Sequence, residues 1–394
     1  MADDRAIRAL IAAGLKIARS TPSGRLAFAQ AHSLVDPDGL PPALREPIMA
    51  ELEPAAAAIE RLDAGEVAKL LKKAWDSDPG KLLDDLDLDS PVAVTAGAQV
   101  HRGVHDGLAV AVKVLRPGLA ESVRSDLVLL DTLAAPARVA FPAIDAARLT
   151  REVRERVLDE LDLEHGAHAQ RTAARALRRD PELHVPPVIS ELTQDDVIVS
   201  AFVDGPTLAG GVPSGADPGA VARLLVRFFV GAPRAIGMVH ADADPANVII
   251  TPAGIAIVDF GASSMVAADL VDAALDAIQA LRDVDVDAFA VAVVERLGVL
   301  PDAESATEAL SVLRAVGGDL LSGPALLDAA ALVALAARAE ARLDALLALA
   351  TRVRLAPEHL WPLRMLGTLV ATLGRLGVTE DWIALGLAAG RTGW

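Results

Sequence analysis

Near the middle of the chain, a polar loop is followed directly by two short apolar segments and a second polar turn. The loop runs from His240 to Asn247, and residues 248–258 supply the apolar segments on either side of an Ala-Gly turn. Short apolar runs around such a turn favour a β-hairpin. The tripeptide Asp-Phe-Gly at 259–261 follows. This order predicts a hairpin that begins and ends next to acidic and amide side chains. The segment 240–261 constrains the fold more than any other part of the sequence.

The polar residues of this block have the spacing of a kinase-type phosphotransfer site. Asp242 and Asn247 are five positions apart, and Asp259 follows the hairpin. In that arrangement the first Asp orients or deprotonates the acceptor, while the Asn and the second Asp hold Mg²⁺ on the phosphates. Carboxylate and amide oxygens are suitable ligands for Mg²⁺. Asp and Asn also favour capped turns that have no catalytic role. The complete ordered set favours Asp242 as catalytic, with Asn247 and Asp259 as metal ligands.

Lysine is rare in this chain, and Lys113 is the last one. The sequence contains six lysines, and every basic side chain after Lys113 is Arg or His. Lys113 lies in an alternating apolar strand after a small-residue loop, where a kinase places the lysine that pairs with the α and β phosphates. A compact ammonium suits that role. A solvent-exposed strand lysine is the alternative, but the downstream block favours a catalytic and nucleotide-binding role.

The loop before that strand, residues 93–99, is rich in small side chains. A loop that covers phosphates needs small residues, because backbone N–H groups must approach the anion closely. Ala96, Gly97, Ala98 and Gln99 are therefore candidates for nucleotide binding. Ala replaces most of the glycines usual in such loops, so an ordinary Ala-rich turn is the alternative.

Glu160 lies in a strongly charged segment, 145–178, that is predicted to be helical. Its carboxylate could pair with Lys113, as a helix glutamate does in kinases. Arginines at 151, 154 and 156 are close in sequence, so a solvent-exposed helix face with i,i+4 ion pairs is equally compatible. The sequence leaves both interpretations open, and Glu160 is kept as a candidate for the nucleotide site.

The remaining sequence predicts an α+β chain. Residues 1–85 have apolar residues at helical spacing and are predicted to form an N-terminal helical extension. Residues 86–205 alternate between helical and strand-like segments, including strands at 184–192 and 195–203, and are predicted to be a small mixed lobe. Residues 206–394 are predicted to be a large helical lobe that carries the polar loop and its hairpin, and to be helical from the hairpin onward.

Composition restricts the possible partners and location. The 37 basic and 54 acidic residues give a net charge of −17, which argues against a nucleic-acid binder. Without cysteine, disulfides, thiolate zinc sites and cysteine nucleophiles are excluded. The sequence lacks a long apolar segment and a signal-peptide start. We therefore expect a cytoplasmic protein with at most peripheral membrane contact, and acidic charge disfavours docking on anionic lipid.

Taken together, the motifs resemble the UbiB/ADCK (AarF-like) family of atypical kinases. Besides the Ala-rich loop, the shared motifs are Lys-Val-Leu-Arg-Pro-Gly at 113–118, Glu-Leu-Asp at 160–162 and the loop at 240–247. The resemblance covers about residues 24–300. It implies a two-lobe protein-kinase-like fold that binds Mg²⁺ with ATP or ADP. It also implies an ATPase or small-molecule kinase in prenyl-quinone or other lipid metabolism, in which Lys113 contacts phosphates and pairs with Glu160.

Three regions depart from the family pattern. The N-terminal Lys-x-Gly-Gln motif, on helices that fold over the active site, corresponds to residues 27–30, which keep only the Gln. Lys16 is a candidate replacement for the missing lysine only if the helices have a different register. In the catalytic loop, Ala243, Asp244 and Ala246 stand where Pro, His and Gly are usual. Asp244 adds a carboxylate that could bind a second ion or be solvated. Gly166 occupies a position where family members often carry a second helix Glu.

Two functional classes follow from these observations. The complete set of Lys113, Asp242, Asn247 and Asp259 favours an active Mg²⁺-dependent ATPase or kinase with a small-molecule or lipid acceptor. The altered lid and the Ala-rich loop are compatible instead with a catalytically weak nucleotide-binding regulator, a pseudokinase. An aminoglycoside-phosphotransferase-like enzyme shares the loop spacing but not the Ala-rich loop or the motif at 113–118.

Overall fold

The structure is a computed structural model that describes residues 21–128 and 145–394. It contains helices and sheets, so the molecule is α+β as the sequence predicts. The helices are α1 (Pro22–Leu34), α2 (Pro42–Ala57), α3 (Ala64–Trp75), α4 (Leu119–Asp126), α5 (Ala146–Glu160), α6 (Leu163–Leu177), α7 (Pro218–Ile236), α8 (Ala268–Asp283), α9 (Val286–Ala290), α10 (Ala303–Gly317), α11 (Ala329–Glu340), α12 (Leu343–Ala350), α13 (Leu360–Gly374) and α14 (Trp382–Thr392). The strands are β1 (Asp85–Leu86), β2 (Ala93–Val94), β3 (Ala98–His105), β4 (Leu108–Leu115), β5 (Leu183–His184), β6 (Val197–Ala201), β7 (Met238–His240), β8 (Val248–Thr251), β9 (Gly254–Ile257), β10 (Ser263–Met265), β11 (Ala325–Leu327) and β12 (Val378–Glu380). Among these described helices, none is both long enough and apolar enough to cross a bilayer.

Three helices lead into the first sheet. α1 is capped by Thr21, whose side chain accepts a hydrogen bond from a first-turn backbone N–H at 3.2 Å. The proline- and glycine-rich break after α1 is a short 3₁₀ turn, Pro37–Gly39. α3 buries Val67 and Leu71 against the sheet. The helix expected over the first twenty residues, with Lys16, lies outside the described residues.

Lys113 lies on a central strand of the first sheet. β3 and β4 form an antiparallel hairpin, and β6 pairs with the other edge of β4. The strand order is β1-β3-β4-β6, with β2 beside β3. The hairpin turn, Asp106-Gly107, has positive φ at both residues, as a two-residue type I′ turn requires. Alternation along β4 buries its valines towards α3 and leaves Lys113 on the opposite face.

Two predicted elements are divided or shortened in the structure. The helix expected over 145–178 separates into α5 and α6, because Asp162 accepts hydrogen bonds from two backbone N–H groups at 3.0 and 3.1 Å and caps α6. Of the strand expected over 184–192, only His184 lies in a strand, the second residue of β5, since Pro186 and Pro187 lack the N–H donors that a ladder needs. The next predicted strand is confirmed as β6.

Helix α7 organises the helical part of the molecule. It buries Leu225, Phe228 and Phe229 and ends at Gly237, whose φ of 65° lets the chain turn directly into β7. The C-terminal Trp394 stacks on Phe228, with ring centroids 5.4 Å apart. The end of the chain therefore supports the helix that precedes the polar loop.

The predicted hairpin after the polar loop is formed by β8 and β9. β5 extends it in parallel orientation, and β10 returns antiparallel to β7 with Ser263 opposite His240. This pairing brings the end of the Asp-Phe-Gly turn beside the start of the polar loop. The prediction of helix alone after the hairpin missed β10 and the β11–β12 pair, because three-residue strands are too short to show an alternating pattern.

Candidate active site

His240 anchors the polar loop in the core. Its side chain is fully buried, and its ring meets Phe229 and Phe260 edge-on at centroid distances of 5.2 and 4.8 Å. Burial lowers the pKa of His240 to about 4, so the imidazole is neutral. Its Nδ1 accepts a hydrogen bond from the N–H of Asp242 at 3.3 Å. The aromatic core thereby fixes the first turn of the loop.

Asp242 and Asn247 lie side by side in the loop. Nδ2 of Asn247 donates to Oδ2 of Asp242 at 2.8 Å. Burial is the main cause that raises the pKa of Asp242 to about 7; the guanidinium of Arg364 acts against this shift and neighbouring carboxylates add to it. A carboxyl group with such a pKa can exchange a proton near neutral pH.

Two threonines of α13 hold the middle of the loop. Oγ1 of Thr368 accepts the N–H of Ala243 at 3.1 Å, and Oγ1 of Thr372 donates to the Ala243 carbonyl at 2.6 Å. Both threonines are buried, so the backbone polar groups of Ala243 are satisfied inside the protein. This pair was not predicted from the sequence. Its signal is two threonines four residues apart on a mostly apolar helix.

Lys113 contacts Asp259 across the site. Nζ lies 2.7 Å from Oδ1, and 21% of the lysine side chain and 40% of the aspartate side chain remain exposed. The φ of Asp259 is 62°, a strained conformation for a residue with a Cβ and a frequent feature of functional sites. Burial by itself raises the pKa of Asp259, but Lys113 outweighs it and the net pKa lies below its ordinary value.

Glu160 binds a different cation from the predicted one. Both of its carboxylate oxygens accept hydrogen bonds from Arg364, the longer at 3.4 Å, and the same guanidinium lies 4.0 Å from Asp242. The predicted Lys113–Glu160 ion pair is therefore not formed, because Lys113 pairs with Asp259 and Glu160 pairs with Arg364. Arg364 lies 204 residues after Glu160 and was not predicted from the sequence.

The predicted phosphate-covering residues are split between a turn and the sheet. Ala96 and Gly97 lie partly exposed between β2 and β3, whereas Ala98 and Gln99 are buried in β3. The side chain of Gln99 bonds to backbone groups just before α3 at 2.9 and 3.2 Å, and to His101 at 3.0 Å. This corrects the prediction for Gln99, since its side chain is committed to the protein and not to a nucleotide.

Helix α1 reaches the polar loop from outside. Oγ of Ser33 donates to a carboxylate oxygen of Asp244, and Arg375 donates to the backbone oxygens of Ser33 and Val35 at 2.9 and 3.2 Å. Asp244 is only 8% exposed, so its carboxylate is engaged by the protein. Gln30 is exposed. The N-terminal helix therefore contacts the loop although the Lys and Gly of the family motif are absent.

Helix α6 packs directly on the Asp-Phe-Gly turn. A Cβ on Gly166 would stand 3.3 Å from the backbone nitrogen of Gly261, and a Cβ on Gly261 would stand 3.0 Å from the carbonyl oxygen of Glu160. This approach requires the smallest side chain at both glycines. The second glutamate that family members often carry at the position of Gly166 would displace the helix from the turn.

Asn247 and Asp259 are the residues that would hold a divalent cation. Across the described parts of the chain, no group of three or more His, Asp or Glu side chains is arranged to hold a metal ion. Mg²⁺ needs no such cage, because it is commonly bound by one or two carboxylates together with water and substrate phosphates. One amide oxygen and one carboxylate therefore fit Mg²⁺ held jointly with a nucleotide, and do not fit a metal held by protein alone.

Comparison with curated proteins finds atypical kinases. The AarF domain-containing protein kinase 1 of Mus musculus is 32% identical over 181 residues, which cover 44% of this chain and 34% of the mouse protein. The probable protein kinase UbiB of Vibrio cholerae is 29% identical over 226 residues, 55% of this chain and 40% of that protein. The mitochondrial atypical kinase COQ8B of Rattus norvegicus is 28% identical over 207 residues, 50% of this chain and 38% of the rat protein. The matches therefore span less than half the length of each relative.

A solved structure with a similar fold is that of Rv3197 from Mycobacterium tuberculosis in complex with erythromycin. It has a TM-score of 0.61 at 23% identity, over 92% of this chain and 89% of that one, a likeness that concerns the fold alone. Residues 56–292 match the ABC1 atypical kinase-like domain, which is more than half of the chain. The fold is thus α+β and kinase-like, and the resemblance to UbiB/ADCK proteins is confirmed. The chain belongs to the ABC1 atypical kinase-like family.

Proposed function

We propose that this chain is a Mg²⁺-dependent, ATP-binding phosphotransferase or ATPase with the two-lobe arrangement of a kinase. The observation that carries the proposal is the grouping of four residues into two neighbouring pairs. Lys113 lies 2.7 Å from Asp259, and Asn247 lies 2.8 Å from Asp242. Membership of an atypical kinase-like family supports a nucleotide of the ATP type.

Different residues of the two pairs would bind the phosphates and the metal ion. Lys113, a compact ammonium on a central strand, would contact the α and β phosphates. Asn247 and Asp259 would hold Mg²⁺, which neutralises phosphate charge when it is bound. Lys113 and Asp259 neutralise each other in the structure. A Mg²⁺-nucleotide would replace that one ion pair with two contacts, lysine to phosphate and carboxylate to metal, so neither charge is left unpaired.

Asp242 would accept the proton in the transfer step. The bond from the γ-phosphorus to the ADP oxygen breaks as the acceptor oxygen bonds to the phosphorus, and the proton of the acceptor passes to Asp242. The pKa of Asp242, raised to about 7 by burial, suits a group that takes a proton and returns it to water. Water as acceptor gives ATP hydrolysis, whereas a hydroxyl group gives a phosphorylated product.

The family resemblance supports a role in prenyl-quinone or other lipid metabolism. We include a small-molecule or lipid hydroxyl as the acceptor on that ground. A lipid acceptor would require peripheral contact between a cytoplasmic protein and the membrane surface, where the substrate resides.

Phosphate release from Mg·ATP tests the proposal. The unmodified chain should release phosphate, and Asp259→Asn and Lys113→Ala should abolish release while their circular dichroism spectra stay unchanged. A detergent-dispersed prenyl phenol should stimulate release if the acceptor is lipid-linked. Undiminished release by either variant would refute the assignment of these residues.

A nucleotide-binding regulator is the second candidate function. Two observations favour it: Glu160 is engaged by Arg364, and Ser33 of α1 is bonded to Asp244 in the polar loop. Both contacts are compatible with a site that binds Mg²⁺-nucleotide and uses it to set the conformation. Tight binding of Mg·ADP without turnover, with or without the phenol, would favour this candidate.

A further inference from the structure

Arg364 brings a positive charge to Asp242 from outside the matched kinase-like domain. It lies on α13, beyond residue 292 where the domain match ends. Its guanidinium bonds both oxygens of Glu160 and stands 4.0 Å from Oδ1 of Asp242, with 28% of the side chain exposed. A single planar cation thus faces a helix carboxylate and the proposed proton acceptor at once.

The position of this guanidinium is fixed by two direct contacts and by the attachment of its helix to the polar loop. It lies over the ring of Trp361, 5.2 Å from the ring centroid, and Trp361 is itself buried in the helical core. Glu160 holds one edge. Helix α13 is bonded to the polar loop through Thr368 and Thr372. Because the helix that carries Arg364 also holds the loop that carries Asp242, their relative positions are set by one rigid unit.

The site needs a cation at this position. Three carboxylates lie around the loop, those of Asp242, Asp244 and Glu160. A nucleoside triphosphate would add further negative charge. Lys113 lies on β4 and is paired with Asp259. In the described residues, the ion pair that reaches Asp242 is the one with Arg364. A phosphoryl group that approaches an acceptor beside Asp242 therefore meets this guanidinium.

The geometry of the side chain fits a phosphoryl group. Guanidinium presents several N–H donors in one plane and bonds two oxygens of a carboxylate or phosphate at the same time. Glu160 occupies donors on one edge of Arg364, while Nη2 also faces Asp242. We propose that Arg364 binds the phosphoryl group that is being transferred, and that Glu160 positions Arg364 for this contact. The inference rests on the proposed phosphotransfer function and adds to it the residue that stabilises the transferred group.

Binding of Mg·ADP with and without aluminium fluoride, which mimics the transferred phosphoryl group, tests the inference on the full chain. The variants are Arg364→Gln and Arg364→Lys. The matched control is Arg148→Gln on α5, whose guanidinium is 59% exposed and reaches Glu358 at 3.4 Å. Calorimetry measures the two affinities, phosphate release from Mg·ATP gives kcat and KM, and thermal unfolding reports the fold.

The unmodified chain and Arg148→Gln should bind Mg·ADP more tightly when aluminium fluoride is present. Arg364→Gln should bind Mg·ADP within about threefold of the unmodified chain, lose the gain from fluoride, and turn over about 10³-fold more slowly at similar KM, the loss typical of a missing phosphate-stabilising arginine. Arg364→Lys should recover part of the gain, since it keeps the charge but not the planar fork.

Different outcomes separate the two proposals. A fluoride-dependent gain in Arg364→Gln equal to that of the unmodified chain would overturn the role of Arg364 and leave the phosphotransfer function standing. Absence of Mg·ADP binding and of turnover in the unmodified chain would overturn both. If Arg364→Gln unfolds, the double variant Glu160→Gln with Arg364→Gln removes both charges of the pair, and a retained fluoride gain there would equally refute the inference.

Discussion

His101 is a fully buried imidazole whose two ring nitrogens face different partners. Nδ1 donates to the carbonyl of Asp87 at 2.8 Å, so Nε2 accepts from the amide nitrogen of Gln99 at 3.0 Å. The amide of Gln99 cannot turn round, because its oxygen accepts the N–H of Leu62 at 2.9 Å and its nitrogen donates to the Leu62 carbonyl at 3.2 Å. A proton on Nε2 would therefore meet another donor.

We expect acid to weaken the fold through this residue. Burial lowers the pKa of His101 below its ordinary value of 6.5, so its contribution to the free energy of unfolding is complete above that pH and is lost as pH falls below it. In urea titrations at about pH 7.5 and about pH 5.5, His101→Gln should lose less stability on acidification than the unmodified chain. His168→Gln, at an exposed position, controls for the loss of an imidazole. Equal losses in His101→Gln and the unmodified chain would contradict the expectation.

At the scale of elements, α13 supports the polar loop. Thr372→Val keeps the shape of the side chain but removes the hydroxyl that donates to the Ala243 carbonyl at 2.6 Å. A buried carbonyl without a partner costs about 1–2 kcal/mol of unfolding free energy. Turnover should fall by about tenfold, because a displaced loop misplaces Asp242. Urea unfolding and phosphate release measure the two effects.

Thr379→Val, at an exposed position on β12, is the matched control and should change neither quantity. Unchanged stability and unchanged turnover in Thr372→Val would show that α13 does not hold the loop. A loss of stability with full turnover would limit the helix to a structural role.

Elements were predictable where their signals are local. The β3–β4 and β8–β9 hairpins follow from alternating apolar residues around short turns. The short strands β10, β11 and β12 form because they pair with distant segments. No local sequence pattern predicts that pairing. The division of the charged helix at Asp162 had a local signal, since Asp is a preferred N-cap, but helical spacing on both sides obscured it.

At the scale of the whole molecule, two helices far apart in the sequence, α1 and α13, meet at the polar loop. Ser33 and Asp244 are 211 residues apart, and Arg375 reaches back 342 residues to the carbonyl of Ser33. The motif residues Asp242 and Asn247 could be predicted because they are five positions apart. The partners of Glu160 and Ser33 could not, because each side chain alone is compatible with an exposed helix surface and only the tertiary fold supplies its partner.

The contact between α1 and the polar loop should control how often the loop is uncovered. Ser33→Ala removes a hydrogen bond to a carboxylate, a contact worth about 1.5–3 kcal/mol, so amide hydrogen exchange in α1 should accelerate by about tenfold or more. Exchange in α10 should not change, since its buried side chains pack in a separate hydrophobic cluster to which α1 contributes no side chain. Ser214→Ala, at an exposed loop position, is the control.

If exchange in α1 stays at the level of the unmodified chain, the helix is held by its apolar packing and not by Ser33. If it accelerates and turnover of Mg·ATP rises with it, α1 limits access of the acceptor to Asp242.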